Sequence, residues 1–272
     1  MKIHTMKMFK LICIIAPSLF CQLVFASTCG VKQDYTYFVS SKDHCLVMRA
    51  YGSQSPRIML VWLHGDVSSG GPANYHFTVA KKAADSTNLN DVLSVALLRP
   101  GYADGEGRQS SAGFFQKPAR KGDDYQRWVI SEVASAVENL KDHFKPEKII
   151  LIGHSGGAAI AANILGIMPK LVSGAVLVAC PCDLLSLRRE QGWSTSISSE
   201  NPLNHASNVD RNSIVILLTG EKDVLTLPKY AQSYANELVK NGVTAKFSLI
   251  KDATHNNAFS WDYIYPELSI FK

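Results

Sequence analysis

The chain has 272 residues, 46% hydrophobic and 19% charged, a composition that supports one sizeable core and argues against disordered, collagen-like and multi-pass membrane classes. Its formal charge of +5 rests on 28 basic and 23 acidic residues, but Lys2, Lys7 and Lys10 lie in a leader without acidic residues, so residues 27–272 carry 25 basic against 23 acidic. A near-balanced surface with no basic run longer than a pair such as Arg188-Arg189 excludes nucleic acid and an anionic membrane as expected partners.

Residues 1–26 read as a secretory signal: a basic opening, an apolar stretch from Leu11 to Phe25, and Val24-Phe25-Ala26 ahead of Ser27. The apolar run is short for a span needing about 20 residues and contains Pro17, so no stable membrane span is expected after cleavage. The expected destination is secreted or periplasmic. Four cysteines then remain, Cys29, Cys45, Cys180 and Cys182, an even number for an oxidising compartment. Cys29 with Cys45 is the preferred bridge, closing a loop of about 15 residues and contributing roughly 3 kcal/mol in the chain-entropy model. Cys180 and Cys182 flank Pro181. A bridge across one residue is difficult to fit to ordinary disulfide geometry, so two free thiols and a strained, reducible pair both stand open. No second cysteine pair or His-Glu-x-x-His helix completes a zinc set, and no metal is expected.

Residues 27–272 read as one α/β domain. A hairpin is predicted from Tyr35-Val39 and Leu46-Tyr51, followed by short apolar runs at Arg57-Leu63, Val92-Leu98, Lys148-Ile152, Gly174-Ala179, Ser213-Thr219 and Lys246-Ile250. These runs lack clean alternation, as expected of parallel strands covered on both faces. Helices fit the intervals Ala73-Ala84, Asp124-Phe144, Gly157-Ile167, Lys229-Lys240 and Ala258-Phe271. In the second of these, Trp128, Val133, Val137 and Leu140 share a face and Asp123 and Asp124 suit the positive N-terminus. Strand and helix alternate, which implies right-handed crossovers. The stretch Asp183-Asn212 is long for a loop and fits either a small lid or cap, or a surface excursion with one amphipathic helix.

Gly153-His154-Ser155-Gly156-Gly157 lies between the strand Lys148-Ile152 and the small-residue segment Ala158-Ala162. It matches Gly-x-Ser-x-Gly in a strand-turn-helix context, where small neighbours let the backbone turn tightly and expose the hydroxyl. On this motif and its placement the chain resembles the α/β-hydrolase superfamily over most of residues 27–272. The resemblance implies a mostly parallel sheet of about eight strands flanked by helices, with Ser155 as nucleophile. It also implies an acid and then a histidine on loops after later strands. His255, in Asp252-Ala253-Thr254-His255, looks like the histidine loop, and Asp223, in Gly220-Glu221-Lys222-Asp223, looks like the acid loop. Glu221 and Asp183 remain competitors for the acid. A serine hydroxyl needs a base for its proton, and the base needs an oriented carboxylate; Ser155, His255 and Asp223 fit those roles.

The family stabilises the developing oxyanion with two backbone amides. Gly156 follows the nucleophile, and His64-Gly65-Asp66 resembles the family's His-Gly-x loop, making the Asp66 amide the second candidate. An acidic side chain there would oppose the charge if it faced the oxyanion, so it is expected to turn away and hold the Val67-Gly71 loop. His64 and His154 are expected to fix backbone or pack beneath the loops. Asp104, Glu106 and Arg108 read as a solvated charged loop, with recognition of a polar substrate as the sharper alternative.

Together these readings describe an exported serine hydrolase without metal or organic cofactor, acting on a small-molecule or peptide acyl substrate, with a carboxylic ester favoured. Alternatives are a prolyl-oligopeptidase-like peptidase, an acyltransferase using the same acyl-enzyme, and a noncatalytic binding protein on this fold. Haloalkane dehalogenase chemistry is disfavoured, because it needs a carboxylate where this chain has Ser155.

Overall fold

Apolar runs without alternation become strands with two buried faces. The computed structural model describes residues 29, 33–67, 71–86, 91–111 and 125–272; the proposed signal segment, Asp123 and Asp124, and the middle of the Val67-Gly71 loop lie outside them. The strands are β1 (Phe38–Ser40), β2 (Cys45–Gly52), β3 (Ile58–Leu63), β4 (Val92–Leu97), β5 (Lys148–His154), β6 (Gly174–Val178), β7 (Ile214–Gly220) and β8 (Thr244–Ile250). Among the described residues they form one eight-stranded sheet in the order β1-β2-β4-β3-β5-β6-β7-β8. The β1/β2 and β2/β4 pairs are antiparallel and the others parallel.

Helices cover both faces, namely α1 (Tyr75–Ala84), α2 (Arg127–Phe144), α3 (Gly156–Ile167), α4 (Leu184–Glu190), α5 (Pro228–Lys240) and α6 (Trp261–Ile264). Strand β3 shows the division. Met59, Val61 and Leu63 enter the core shared with α2, α3 and α5, while Ile58, Leu60 and Trp62 enter the core on the α1 and α6 side. In α2, Val129, Val133, Ala136, Val137, Leu140 and Phe144 recur at helical spacing and are buried. The helix stops at Lys145, which turns left-handed at φ 51° and returns its N–H to the Lys141 carbonyl.

Two expectations need correction. β8 is one edge of the sheet, and most of its residues are partly or fully exposed: among the described residues no strand pairs beyond it, and α5 is the helix packed most closely across it. The predicted helix Ala258-Phe271 is instead the single turn α6 followed by a 3-10 segment, Tyr265–Phe271. Ser260 caps α6, and Pro266 supplies no N–H to continue an α-helix.

Cys29 and Cys45 are bridged, tying the start of the described chain to β2. Cys180 and Cys182 are also bridged, with Cα atoms 5.1 Å apart, so the pair, rather than two free thiols, is present. The bridge spans Pro181 directly between β6 and α4. Among the described residues no helix is long and apolar enough to cross a membrane.

Candidate active site

The parallel register pairs Leu63 of β3 with Gly153 of β5. The residues that follow each strand, His64-Gly65-Asp66 and His154-Ser155, therefore emerge side by side at the C-terminal edge of the sheet. Ser155 sits at φ 51° and ψ −117°, a backbone region that costs an L-residue of order 1–3 kcal/mol. Its carbonyl accepts the N–H groups of Ala158 and Ala159 and its own N–H reaches Val178 of β6, which holds the turn. Gly157 is required by the neighbour strand, since a Cβ there would lie 2.3 Å from the Leu63 carbonyl oxygen.

The acid and histidine loops converge on the same edge. His255 Nδ1 lies 2.9 Å from Asp223 Oδ2. Asp223 Oδ1 accepts the N–H groups of Leu225 and Thr226 at 2.9 and 2.8 Å, and the Thr226 hydroxyl donates to Oδ2 at 2.7 Å. Burial pushes the Asp223 carboxyl up, but the hydrogen bond and charge of His255 and the donors of Thr226 outweigh it and hold the group below its ordinary value. The competitors are used elsewhere. Glu221 accepts the Asp252 N–H at 3.0 Å, and Asp183 caps α4 through the Ser186 N–H at 3.2 Å. Sequence reasoning misses Thr226. The signal that could have found it is a hydroxyl three residues after the acid.

The loop after β3 is pinned peptide by peptide. The Gly65 N–H donates to Tyr75 Oη at 2.6 Å, and the Gly65 carbonyl lies 2.7 Å from His64 Nδ1. His64 Nε2 accepts the Arg99 N–H at 3.1 Å, so Nδ1 carries the proton and donates. Burial, then the Arg99 charge, keep His64 neutral, well below its ordinary value. Because the peptide is planar and trans, fixing the Gly65 carbonyl sends the Asp66 N–H in the opposite direction. The Gly65 N–H is already spent on Tyr75, which leaves the Asp66 amide as this loop's candidate donor.

Contrary to the expectation from sequence, the Asp66 side chain is held by Arg99 and Tyr125 rather than by the described residues of the Val67-Gly71 loop. Oδ1 accepts from Arg99 Nη1 at 2.7 Å and Oδ2 from the Tyr125 hydroxyl at 2.7 Å. Burial and the Asp66 charge hold the Tyr125 phenol well above its ordinary value, so it stays a donor. Asp104 is buried rather than solvated: it pairs with Arg49 at 2.8 Å and Arg108 at 2.9 Å, and both guanidinium groups lie over Tyr37. Glu106 remains exposed and Arg108 partly so, as a solvated loop would have it, and none of Asp104, Glu106 and Arg108 lines the pocket described next.

Ser155, Asp66, His154 and His255 line one pocket of about 520 Å³. Its opposite wall is apolar, built from Pro181, Leu184, Leu187, Trp193 and Leu225. Three of these come from the Asp183-Asn212 segment, where Arg188 lies over the Trp193 ring at 5.7 Å. Among the described residues no group of three or more His, Cys, Asp or Glu side chains is arranged to hold a metal ion.

The model of the alpha/beta hydrolase family matches residues 60–240. Solved structures with a similar fold include the Pyrococcus furiosus esterase Pf2001, at 20% identity and TM-score 0.59, covering 85% of this chain and 86% of that one. Est1E from Butyrivibrio proteoclasticus, bound to ferulic acid, matches at 10% identity and TM-score 0.63, covering 86% and 96%. The Pyrococcus horikoshii acylaminoacyl peptidase matches at 15% identity and TM-score 0.62, covering 86% of this chain, which spans 40% of the length of that peptidase. A comparison with curated proteins finds no match. With its sheet order, its strand-turn-helix at Ser155 and a family match over most of its length, the chain belongs to the alpha/beta hydrolase family.

Proposed function

We propose that the chain is an exported serine hydrolase that cleaves neutral carboxylic esters with an apolar limb. The observation that carries the reading is the His255–Asp223 pair at 2.9 Å, placed on the pocket that Ser155 also lines. Ser155 Oγ attacks the ester carbonyl while His255 Nε2 takes its proton, and Asp223 stabilises the imidazolium that forms. The oxyanion is met by the N–H groups of Gly156 and Asp66. His255 returns the proton to the leaving alkoxide, giving an alcohol and an acyl-serine. Water, deprotonated by His255, then releases the carboxylic acid and restores Ser155.

The ester preference rests on the pocket. Its apolar wall suits an alkyl or aryl group, and no lysine or arginine is among its described lining residues to neutralise a charged substrate. Segment 183–212 serves as a small cap over a single domain of residues 27–272. Two disulfides favour an oxidising destination, in keeping with residues 1–26 as a cleaved signal.

The test is fluorophosphonate labelling of the folded protein with the adduct located by peptide mass spectrometry, followed by an ester, thioester and peptide panel. Labelling at Ser155, lost in Ser155→Ala, with ester turnover leading the panel, is the expected result. A folded protein that does not label would overturn the serine-hydrolase reading, and peptide turnover leading the panel would replace the ester with an amide.

A further inference from the structure

Three loops must hold their spacing for this chemistry: the one after β3 with the Asp66 amide, the elbow after β5 with Ser155, and the one after β8 with His255. β5 and β8 are separated in the sheet by β6 and β7, so strand pairing alone does not connect the base to the elbow. A continuous hydrogen-bonded chain does. The Gly65 N–H donates to Tyr75 Oη at 2.6 Å, Tyr75 Oη lies 2.7 Å from His154 Nδ1, and His154 Nε2 lies 3.1 Å from the backbone carbonyl of His255.

The proton positions in this chain follow from its two ends. A carbonyl oxygen only accepts, so His154 Nε2 carries a proton and donates to His255. A neutral ring then presents Nδ1 as an acceptor, which receives the Tyr75 hydroxyl proton. Tyr75 in turn has a lone pair left for the Gly65 N–H. Burial holds the His154 pKa down to about 4, with the neighbouring His255 adding to that direction, and the ring is therefore neutral at working pH. Phe259 stacks on it with centroids 4.9 Å apart and planes 28° from parallel, and Tyr75 meets both rings edge-on. The ring is held in one plane with both nitrogens engaged.

We propose that Tyr75 and His154 are positioning residues, forming a neutral relay that fixes the base loop carrying His255 against the oxyanion loop carrying Asp66. This rests on the serine-hydrolase reading. Neither side chain is asked to exchange a proton with substrate. Their effect is on the distance between the group that takes the Ser155 proton and the amide that meets the new negative charge, where a misplacement of about 1 Å can cost on the order of 100-fold in rate. The relay therefore acts on the transition state and leaves binding in the apolar wall alone. The sequence places His154 beside Ser155 but holds no sign of its partner, because Tyr75 lies 79 residues away.

The experiment compares wild type with Tyr75→Phe, His154→Gln, His154→Leu and the Tyr75→Phe/His154→Leu double variant. Each is measured for kcat and KM on 4-nitrophenyl butyrate and for the rate of fluorophosphonate labelling at Ser155. Tyr75→Phe keeps the ring against Phe259 and removes only the hydroxyl. It is expected to lower kcat and the labelling rate by about tenfold, the size of one lost hydrogen bond, with KM within about twofold. His154→Gln retains a donor at the position of Nε2 and is expected to recover much of what His154→Leu loses. The double variant should fall less than the product of its single losses, since both break one chain. The low-field proton resonance of His255 Nδ1 should shift in Tyr75→Phe although the lost hydroxyl bonds to His154 and not to that imidazole, a readout that a loss of global stability alone would not move. Wild-type labelling with unchanged kcat in folded Tyr75→Phe, multiplicative losses in the double variant, or losses confined to KM would each overturn the relay while leaving the hydrolase reading intact. A wild type that does not label would overturn both.

Discussion

Arg99 Nη1 lies 2.7 Å from Asp66 Oδ1, joining a guanidinium with no exposed surface to a carboxylate at the rim of the candidate oxyanion hole. The pairing explains how an acidic residue occupies that loop. Its charge is met by Arg99 and by the Tyr125 hydroxyl, while its backbone amide is the proposed donor to the oxyanion. A Cβ on Gly156 would lie 2.3 Å from Asp66 Oδ1, so the carboxylate also requires glycine after the nucleophile. Arg99→Met should destabilise the fold by about 3–5 kcal/mol, the cost of leaving one partner of a buried pair, and should lower kcat because the unpaired carboxylate now opposes the oxyanion. Asp66→Asn in that background removes the stranded charge and should restore part of both losses. Urea unfolding and ester kinetics on the two singles and the double variant check this, and strictly additive losses would show that the two groups are not coupled.

The apolar wall supplies a separate prediction about selectivity. Leu187 and Trp193 line the pocket from the segment after β6, far enough along the chain from the triad candidates to be changed without altering them. Trp193→Ala should lower kcat/KM for hexanoate or aryl esters by about tenfold or more, from the loss of roughly 1–3 kcal/mol of apolar contact. Acetate esters, which do not reach that wall, should change by about twofold at most. A series of esters of increasing acyl length read on both proteins separates the two; a uniform fall across the series would place Trp193 outside the substrate's path.

The succession of strands along the chain and the candidacy of Ser155, His255 and an acid after β7 are legible because each depends on local signals: an apolar run, a glycine-rich turn, an acid or a histidine just past a strand. Choosing Asp223 over Glu221 and Asp183 is not possible from spacing, since all three follow a strand; it needs the loop to fold back through the Leu225 and Thr226 amides. The Asp66–Arg99–Tyr125 and Gly65–Tyr75–His154 chains are hidden for a different reason. Their members are 10 to 79 residues apart, and side-chain hydrogen bonds of that range leave no periodic trace. β8 reads as covered on both faces because a short apolar run looks the same in the middle of a sheet and at its edge.

Thr226 should tune the acid. Its hydroxyl donates to Asp223 Oδ2 at 2.7 Å and lies 3.0 Å from His255 Nδ1. Thr226→Val removes a hydrogen bond to a buried charged group, a loss of about 1.5–3 kcal/mol of stability at neutral pH. The native Asp223 carboxyl is held below its ordinary value, so its contribution is fully present above the unfolded value of about 3.9 and is lost as pH falls through the native one. In Thr226→Val the native value should rise, and the acid-side loss should begin at higher pH. Carboxyl titration by carbon NMR on both proteins measures the shift directly, and an unmoved Asp223 would show that the hydroxyl does not bear on it.

Three buried neutral histidines set the response to mild acid. Burial pushes His76 down to about 3 and His154 to about 4, and His64 is also held well below its ordinary value. The unfolded chain takes up a proton at each near a pH of about 6.5, whereas the native chain does not. Stability is therefore fully present above about pH 6.5 and falls as pH drops toward the native values, by about 1.4 kcal/mol per pH unit for each ring. Screening by solvent is small, because His64 and His76 are fully buried and His154 is 5% exposed. His76 packs between the rings of His64 and Phe77 and lies outside the pocket lining, so His76→Leu removes one titrating group without touching the candidate triad. The expected result is a shallower decline in urea-unfolding free energy between about pH 6 and 4.5, by about 1.4 kcal/mol per unit. Parallel curves for wild type and variant would mean that His76 accepts its proton in the folded chain, and that acid loss is carried by the carboxylates instead.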